Sequence, residues 1–230
     1  MYTGESQIYK RKVSKMKTQK IKTLFFAIFL LNSFAVWTLL VKVVDVQRIG
    51  PDGSCVGFAS LNGFVHGFLG TNFTLYTVTD WLGLVPICFM LGFAVLGLCQ
   101  LLKRKHLLKV DKEILLLGIF YIAVLAVFLF FEEFVINYRP VHINGNLEAS
   151  YPSSTTMLVM CVMPTSAMIL KRRINNRVLK NIVVVVIYAF TIFMVTGRLV
   201  SGVHWATDII GGALVSTGLV ELYKAFAVDN

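Results

Sequence analysis

The stretch NIVVVVIYAFTIFMVTGRLVSGVHWATDIIGGALVSTGLV, residues 181–220, joins two strongly apolar runs through a short polar junction. Asn181 to Gly197 carries no charged side chain, and from about Trp205 to Val220 the single charge is Asp208. Runs of this length and composition are fit to cross a bilayer as helices. At the junction stand Arg198, His204 and Asp208, spaced Arg-x5-His-x3-Asp. In a helix opened by His204, Asp208 would lie one turn on and on the same face. Its carboxylate would then hold one imidazole nitrogen and leave the other free to attack. Arg198, closing the preceding run, would grip an anion beside them.

Working outward, four more uncharged stretches are long enough to span: Thr23 to Val41, Trp81 to Leu102, Ile114 to Phe131 and Ser153 to Leu170. A hydrophobic content of 57% and a mean hydropathy of +0.74 exceed the usage of soluble domains. The sequence therefore predicts an all-α, polytopic membrane protein, a six-transmembrane-helix bundle. Residues 1–22 form a basic N-terminal tail and residues 23–225 the membrane domain. The first run follows basic residues, as a signal peptide does, but has no clear small-residue cleavage site before Trp37 and reads as a retained anchor. Gly53 to Thr79 holds five glycines, and Asn62, Thr71, Asn72 and Thr74 interrupt its apolar periodicity. It reads as a surface or re-entrant segment.

Lys and Arg gather on cytoplasmic loops. With six spans, seven basic residues precede the first span, and the loops Lys103 to Lys112 and Lys171 to Lys180 hold five each. Adding Lys224 leaves Lys42, Arg48, Arg139 and Arg198 on the other side. Both termini are then cytoplasmic in a multi-pass protein of the cell membrane. The net charge of +10 is a topology signal, with attraction to anionic membrane lipid second and nucleic acid excluded as a partner. Cys88, Cys99 and Cys161 lie in apolar spans and Cys55 in a loop, so no disulfide framework emerges and the cysteines read as packing residues. Gly211, Gly212 and Gly218 read as close helix contacts.

Helix parity brings Glu132 to Pro152 to the same membrane face as Arg198 to Asp208. That extracytoplasmic face gathers Arg139, His142, Ser153, Ser154, Thr155, Arg198, His204 and Asp208. Two arginines against the topological bias suit phosphate oxygens. Tyr151-Pro152-Ser153-Ser154-Thr155 opens the fourth span with a proline and hydroxyls near the cap, where backbone N–H groups and the helix dipole favour an anion. No Gly-x4-Gly-Lys run is present.

Arg139-Pro140, Pro152-Ser153 and Arg198-x5-His204-x3-Asp208, in that order, resemble the three-part signature of the type 2 phosphatidic acid phosphatase superfamily. The motifs span residues 132–208, and the third is the specific one. The resemblance implies a six-helix membrane enzyme that removes phosphate from lipid phosphates or diphosphates, with neither metal nor cofactor. It implies His204 as the nucleophile that forms a phosphohistidine, Asp208 as its orienting carboxylate, and Arg139, Ser153 and Arg198 as phosphate-binding residues. Ser154, Thr155 and His142 are secondary candidates.

Two positions depart from the pattern. Glu132 stands where the first motif has lysine, and a carboxylate there would repel phosphate unless it is turned away or paired with an arginine. Thr155 stands where the second motif has the histidine that protonates the leaving oxygen, a contribution of ~10²–10⁴-fold. A lipid monoester expels an alkoxide whose basicity approaches that of hydroxide, about 15.7 on the pKa scale. A diphosphate expels a phosphate whose second pKa is about 6. The expected substrate is therefore a lipid diphosphate such as a polyprenyl diphosphate, with His142 a candidate to replace the acid. A phosphotransferase to a lipid or sugar acceptor would use the same residues, and a catalytically impaired lipid-phosphate binding protein would also fit the substitutions. A transporter would need a polar stripe through several spans, which the sequence lacks.

Overall fold

The computed structural model describes residues 3–227. Eight α-helices follow in chain order: α1 Thr3–Val43, α2 Ala59–Leu69, α3 Phe73–Leu82, α4 Leu84–Arg104, α5 Lys112–Glu133, α6 Ser154–Arg173, α7 Arg177–Val200 and α8 Ala206–Ala227. Six segments are long and apolar enough to cross a membrane, with α3 and α4 together making one of them, Phe73–Arg104. The protein is an all-α, multi-pass membrane protein, as the apolar runs predict.

α6 and α8 form the centre: more than half of each apolar window is buried, against less than a third in the other four spans. Their sequences suit that place. Small residues let backbones approach closely inside a membrane, where apolar bulk alone gives no drive to associate. A Cβ on Gly211 would stand 2.6 Å from Tyr151 Cε2, one on Gly212 3.2 Å from Ser153 O, and one on Gly218 2.9 Å from Leu31 of α1. The three glycines are close contacts, as read from the sequence. Around this centre, Leu117, Phe120, Tyr121 and Val124 of α5 pack with Met157, Cys161 and Val162 of α6 and with Val215, Leu219 and Tyr223 of α8. Of the cysteines only Cys161 is buried; Cys55 is exposed in its loop and Cys88 and Cys99 on α4, so the packing reading fails for those three. A helix facing lipid tolerates a small soft side chain on its outside as readily as on its inside.

The segment 53–79 is more regular than its sequence suggests. α2 has 11 residues, too few to cross. Phe73 to Thr79 belong to the helical extension of the second span rather than to a surface loop. Asn72, which interrupts the apolar pattern, is the N-cap of α3 and accepts from Leu75 N at 2.9 Å. The break between α3 and α4 falls at Gly83. Pro86 lies three residues on; it lacks an N–H and its ring crowds the carbonyl four residues back, that of Leu82, so the helix is interrupted there. Asn62 fastens α2 to the start of α8, donating to Gly57 O at 2.8 Å and to Thr207 Oγ1 at 3.0 Å.

Both basic loops lie at one end of the bundle, tied by Arg104–Asp111, Arg173–Asp111 and Arg172–Glu113 ion pairs. The junction of α5 with α6 and that of α7 with α8 lie at the other.

Candidate functional site

Arg198 sits in the last turn of α7 and is 1% exposed. The chain then turns through Ser201 and Gly202. Gly202 has φ +65°, and a Cβ there would fall 1.8 Å from Gly70 O, so only glycine fits. His204 follows in the turn, and α8 starts at Ala206. Trp205 caps α8: its carbonyl accepts from Asp208 N at 3.0 Å, and Asp208 Oδ2 accepts from Trp205 N at 2.9 Å. An acidic residue at the third helical position reaching back to the cap N–H is half of a capping box. Asn137 Nδ2 donates to the other oxygen, Oδ1, at 3.4 Å. Asp208 is thus fixed by local helix geometry with its carboxylate buried.

Arg139 arrives from the segment between α5 and α6. Residues 137–150 form an irregular hairpin about Asn144-Gly145, whose φ values of 50° and 79° match the Asn-Gly turn that joins two antiparallel strands. Ile143 pairs with Asn146 and Tyr138 with Ala149. Arg139 N donates to Glu148 O at 3.0 Å, and Trp205 Nε1 donates to Tyr138 O at 2.7 Å, which holds the hairpin against the α7–α8 turn.

These elements bring Arg139 Nη1 to 3.2 Å from His204 Nε2. Arginine has donors only, so Nε2 accepts and the imidazole proton resides on Nδ1. Nδ1 faces Asp208, with 3.6 Å to Oδ2. That is beyond hydrogen-bond reach, so the direct hydrogen bond expected from the sequence is not formed. Burial first, and then the Arg139 and Arg198 charges, hold the His204 pKa well below the usual histidine range. The ring is therefore neutral, with its Nε2 lone pair engaged by Arg139.

Arg198 is held from α3. Its Nη1 lies 3.4 Å from Thr79 Oγ1 and 3.6 Å from Asp80 Oδ1, and its guanidinium carbon lies 4.8 Å from the Tyr76 ring centroid. Arg139 lies 6.0 Å from the same ring. Tyr76 therefore faces both cations. Asn72 N donates to Ser201 O at 2.9 Å and fixes α3 beside the end of α7. Arg139 Nε, Arg198 Nε and His204 Nδ1 are buried donors with no aligned hydrogen-bond partner among the described residues. Nδ1 faces Asp208 and Arg139 Nε faces Glu148, so the donors left for an anion are the remaining ones of the two guanidinium groups.

Ser153 caps α6, accepting from Thr156 N at 3.4 Å, and its own N–H donates to Asp208 O at 3.1 Å. It joins α6 to α8 at the site. Ser154 and Thr155, in the first turn of α6, line with Asp80 an apolar cavity of about 430 Å³ that also takes in Leu84, Ile87 and Met90 of α4 and Tyr121 of α5. His142 is not brought in. Its Nε2 lies 2.9 Å from Asp52 Oδ2 at the surface, because the hairpin turn carries it towards the loop after α1. Glu132 and Glu133 are exposed at the end of α5, and among the described residues neither forms an ion pair with an arginine.

The sequence reading missed Tyr76, Thr79, Asp80, Asn137 and Glu148. Only the fold carries the first three to Arg198. Glu148 had a signal: the Asn144-Gly145 turn implies a hairpin that sets a residue of its second strand beside Arg139.

None of the curated proteins matches this chain. Among solved structures, a transmembrane PAP2-type phosphatidylglycerolphosphate phosphatase from Bacillus subtilis is similar, at 19% identity and a TM-score of 0.62 over 87% of this chain and 94% of that one. An identity this low carries the fold alone. The model of the PAP2 superfamily matches residues 87–230, which include Arg139, Ser153, Arg198, His204 and Asp208. With the motifs in order and their side chains assembled at one end of the bundle, the chain belongs to the PAP2 superfamily.

Proposed function

We propose that this protein is a metal-independent lipid phosphatase that works through a phosphohistidine at His204 and prefers a lipid diphosphate, such as a polyprenyl diphosphate, to a monoester. The observation that carries the reading is the 3.2 Å contact between Arg139 Nη1 and His204 Nε2. It supports a neutral ring whose unprotonated nitrogen accepts from the phosphate-binding arginine, a hydrogen bond that an incoming phosphate replaces by taking the guanidinium. In the first step Nε2 attacks phosphorus and the leaving oxygen takes the electron pair of the broken P–O bond. The imidazolium so formed keeps its proton on Nδ1, where the Asp208 carboxylate stabilises the charge. Arg139 and Arg198 neutralise the phosphoryl oxygens, aided by Ser153 and the first N–H groups of α6. The two basic loops and the tail face the cytoplasm, and the site opens on the extracytoplasmic side.

Thr155 favours the diphosphate, because threonine supplies no proton to an alkoxide and a departing phosphate needs none. The test is inorganic phosphate release from a panel of lipid mono- and diphosphates in detergent with chelator present, for the intact protein and for His204→Ala and Arg139→Ala. Diphosphate turnover that survives chelation and is lost in both variants is the expected result. Equal or faster turnover on the monoester would defeat the substrate assignment, and loss on chelation the metal-independent mechanism.

A further inference from the structure

The superfamily's second motif places a histidine where this chain has Thr155, so a proton acceptor for the second half of the reaction must come from elsewhere. His142, the candidate from the sequence, is engaged with Asp52 at the surface. Apart from Asp208, a carboxylate one guanidinium away from the reacting nitrogen belongs to Glu148. Tyr138 pairs with Ala149 and Arg139 N bonds to Glu148 O, so Arg139 and Glu148 stand opposite each other across the hairpin. Opposed residues of an antiparallel pair project to the same face. Glu148 Oε2 accordingly lies 3.0 Å from Arg139 Nε, while Nη1 of the same guanidinium lies 3.2 Å from His204 Nε2. One guanidinium separates the carboxylate from the nucleophile.

Two features distinguish this carboxylate from a simple anchor for the arginine. Arg139 Nε is off axis and makes no aligned hydrogen bond, so the pair is held by charge and can open without breaking a hydrogen bond. The Glu148 side chain is 41% exposed, whereas that of Arg139 is 9% exposed, so the carboxylate stands between the buried site and water. Asp208 lacks that access: both its oxygens accept from protein donors and it is fully buried.

Resting on the phosphohistidine reading, we propose that Glu148 is the general base that activates water to hydrolyse the phosphohistidine, the part that the absent histidine leaves open. The oxygen of a water between Glu148 and the phosphoryl group attacks phosphorus, and the water's proton passes to Glu148. The P–N bond breaks, its electron pair returns to Nε2 of His204, and inorganic phosphate leaves. The exposed carboxyl group then gives its proton to bulk water. No external reactant besides water is needed. The first step needs no acid when the leaving group is a phosphate, so a chain with one carboxylate in this place closes the cycle on a diphosphate and is slowed on a monoester at the first step.

The test is rapid-quench kinetics with a lipid diphosphate radiolabelled in its terminal phosphate, on the full chain in detergent. Glu148→Gln keeps a side chain of the same shape. It is expected to label His204 at a rate within about threefold of the parent while inorganic phosphate release slows by ~10²-fold or more. Label therefore accumulates on the histidine. Glu148→Ala should behave likewise, and added formate, a small exogenous base, should restore phosphate release without changing the rate of labelling. If Glu148 only positions Arg139, labelling and release fall together, no label accumulates and formate has no effect; that result overturns the proposal, as does a Glu148→Gln variant with both steps unchanged. Should the parent protein never carry label on His204 while it turns over, and should His204→Ala remain active, the phosphohistidine reading itself fails, an outcome told apart from the others by the parent alone.

Discussion

His204 works in a setting that decides its protonation before any substrate arrives. Arg139 can only donate, so it selects the tautomer, and burial with two nearby cations keeps the ring neutral. The substituted position is Thr155, in the first turn of α6, where it lines one cavity with Asp80. Reintroducing the acid should broaden the substrate range. Thr155→His is expected to raise turnover of a lipid monoester by ~10²-fold, with a far smaller change on the diphosphate; kcat/KM on paired substrates that differ by one phosphate measures it. An unchanged ratio would show that the leaving group is not what Thr155 controls.

Among the elements, α8 carries the closest contacts. Tyr151, against which Gly211 packs, is held by a 2.8 Å hydrogen bond between its hydroxyl and Thr38 Oγ1 and by the Phe34 and Phe131 rings. It cannot move aside for a new methyl group without losing these contacts. Gly211→Ala should therefore cost about 1–3 kcal/mol, read as a lower thermal midpoint in detergent. The same change should reduce phosphate release, since Tyr151 leads directly into Pro152 and the Ser153 cap. A variant as stable as the parent would mean that α6 and α8 separate at no cost. The hairpin 137–150 and the α3–α4 break act in the same way, each using a local backbone preference to aim a side chain. Asn144-Gly145 brings Arg139 to His204 and Glu148 to Arg139, and the interruption at Gly83 ends the helix that presents Tyr76, Thr79 and Asp80 to Arg198.

For the whole molecule, six spans put the basic loops at one end and the site at the other, which sets an orientation that can be checked. Cys55 is exposed in the loop between α1 and α2, while Cys88, Cys99 and Cys161 lie within spans. A membrane-impermeant maleimide added to intact cells is expected to label the protein at Cys55, with Cys55→Ser abolishing the label. Labelling only after the membrane is opened would invert the topology. The sequence by itself determined the six spans, because lipid demands long uncharged helices and these are visible as composition. It also picks out Arg139, Ser153, Arg198, His204 and Asp208 as motif positions, because chain order and spacing are legible without coordinates. Only the tertiary structure decided which other groups meet them. Tyr76, Asp80 and Glu148 lie far from His204 along the chain, and His142, close to Arg139 in sequence, ends beside Asp52. The physical reason is that a span is a property of one helix in its solvent, whereas a charge pair depends on how loops and broken helices fold back at the membrane surface, where no periodicity in the sequence records it.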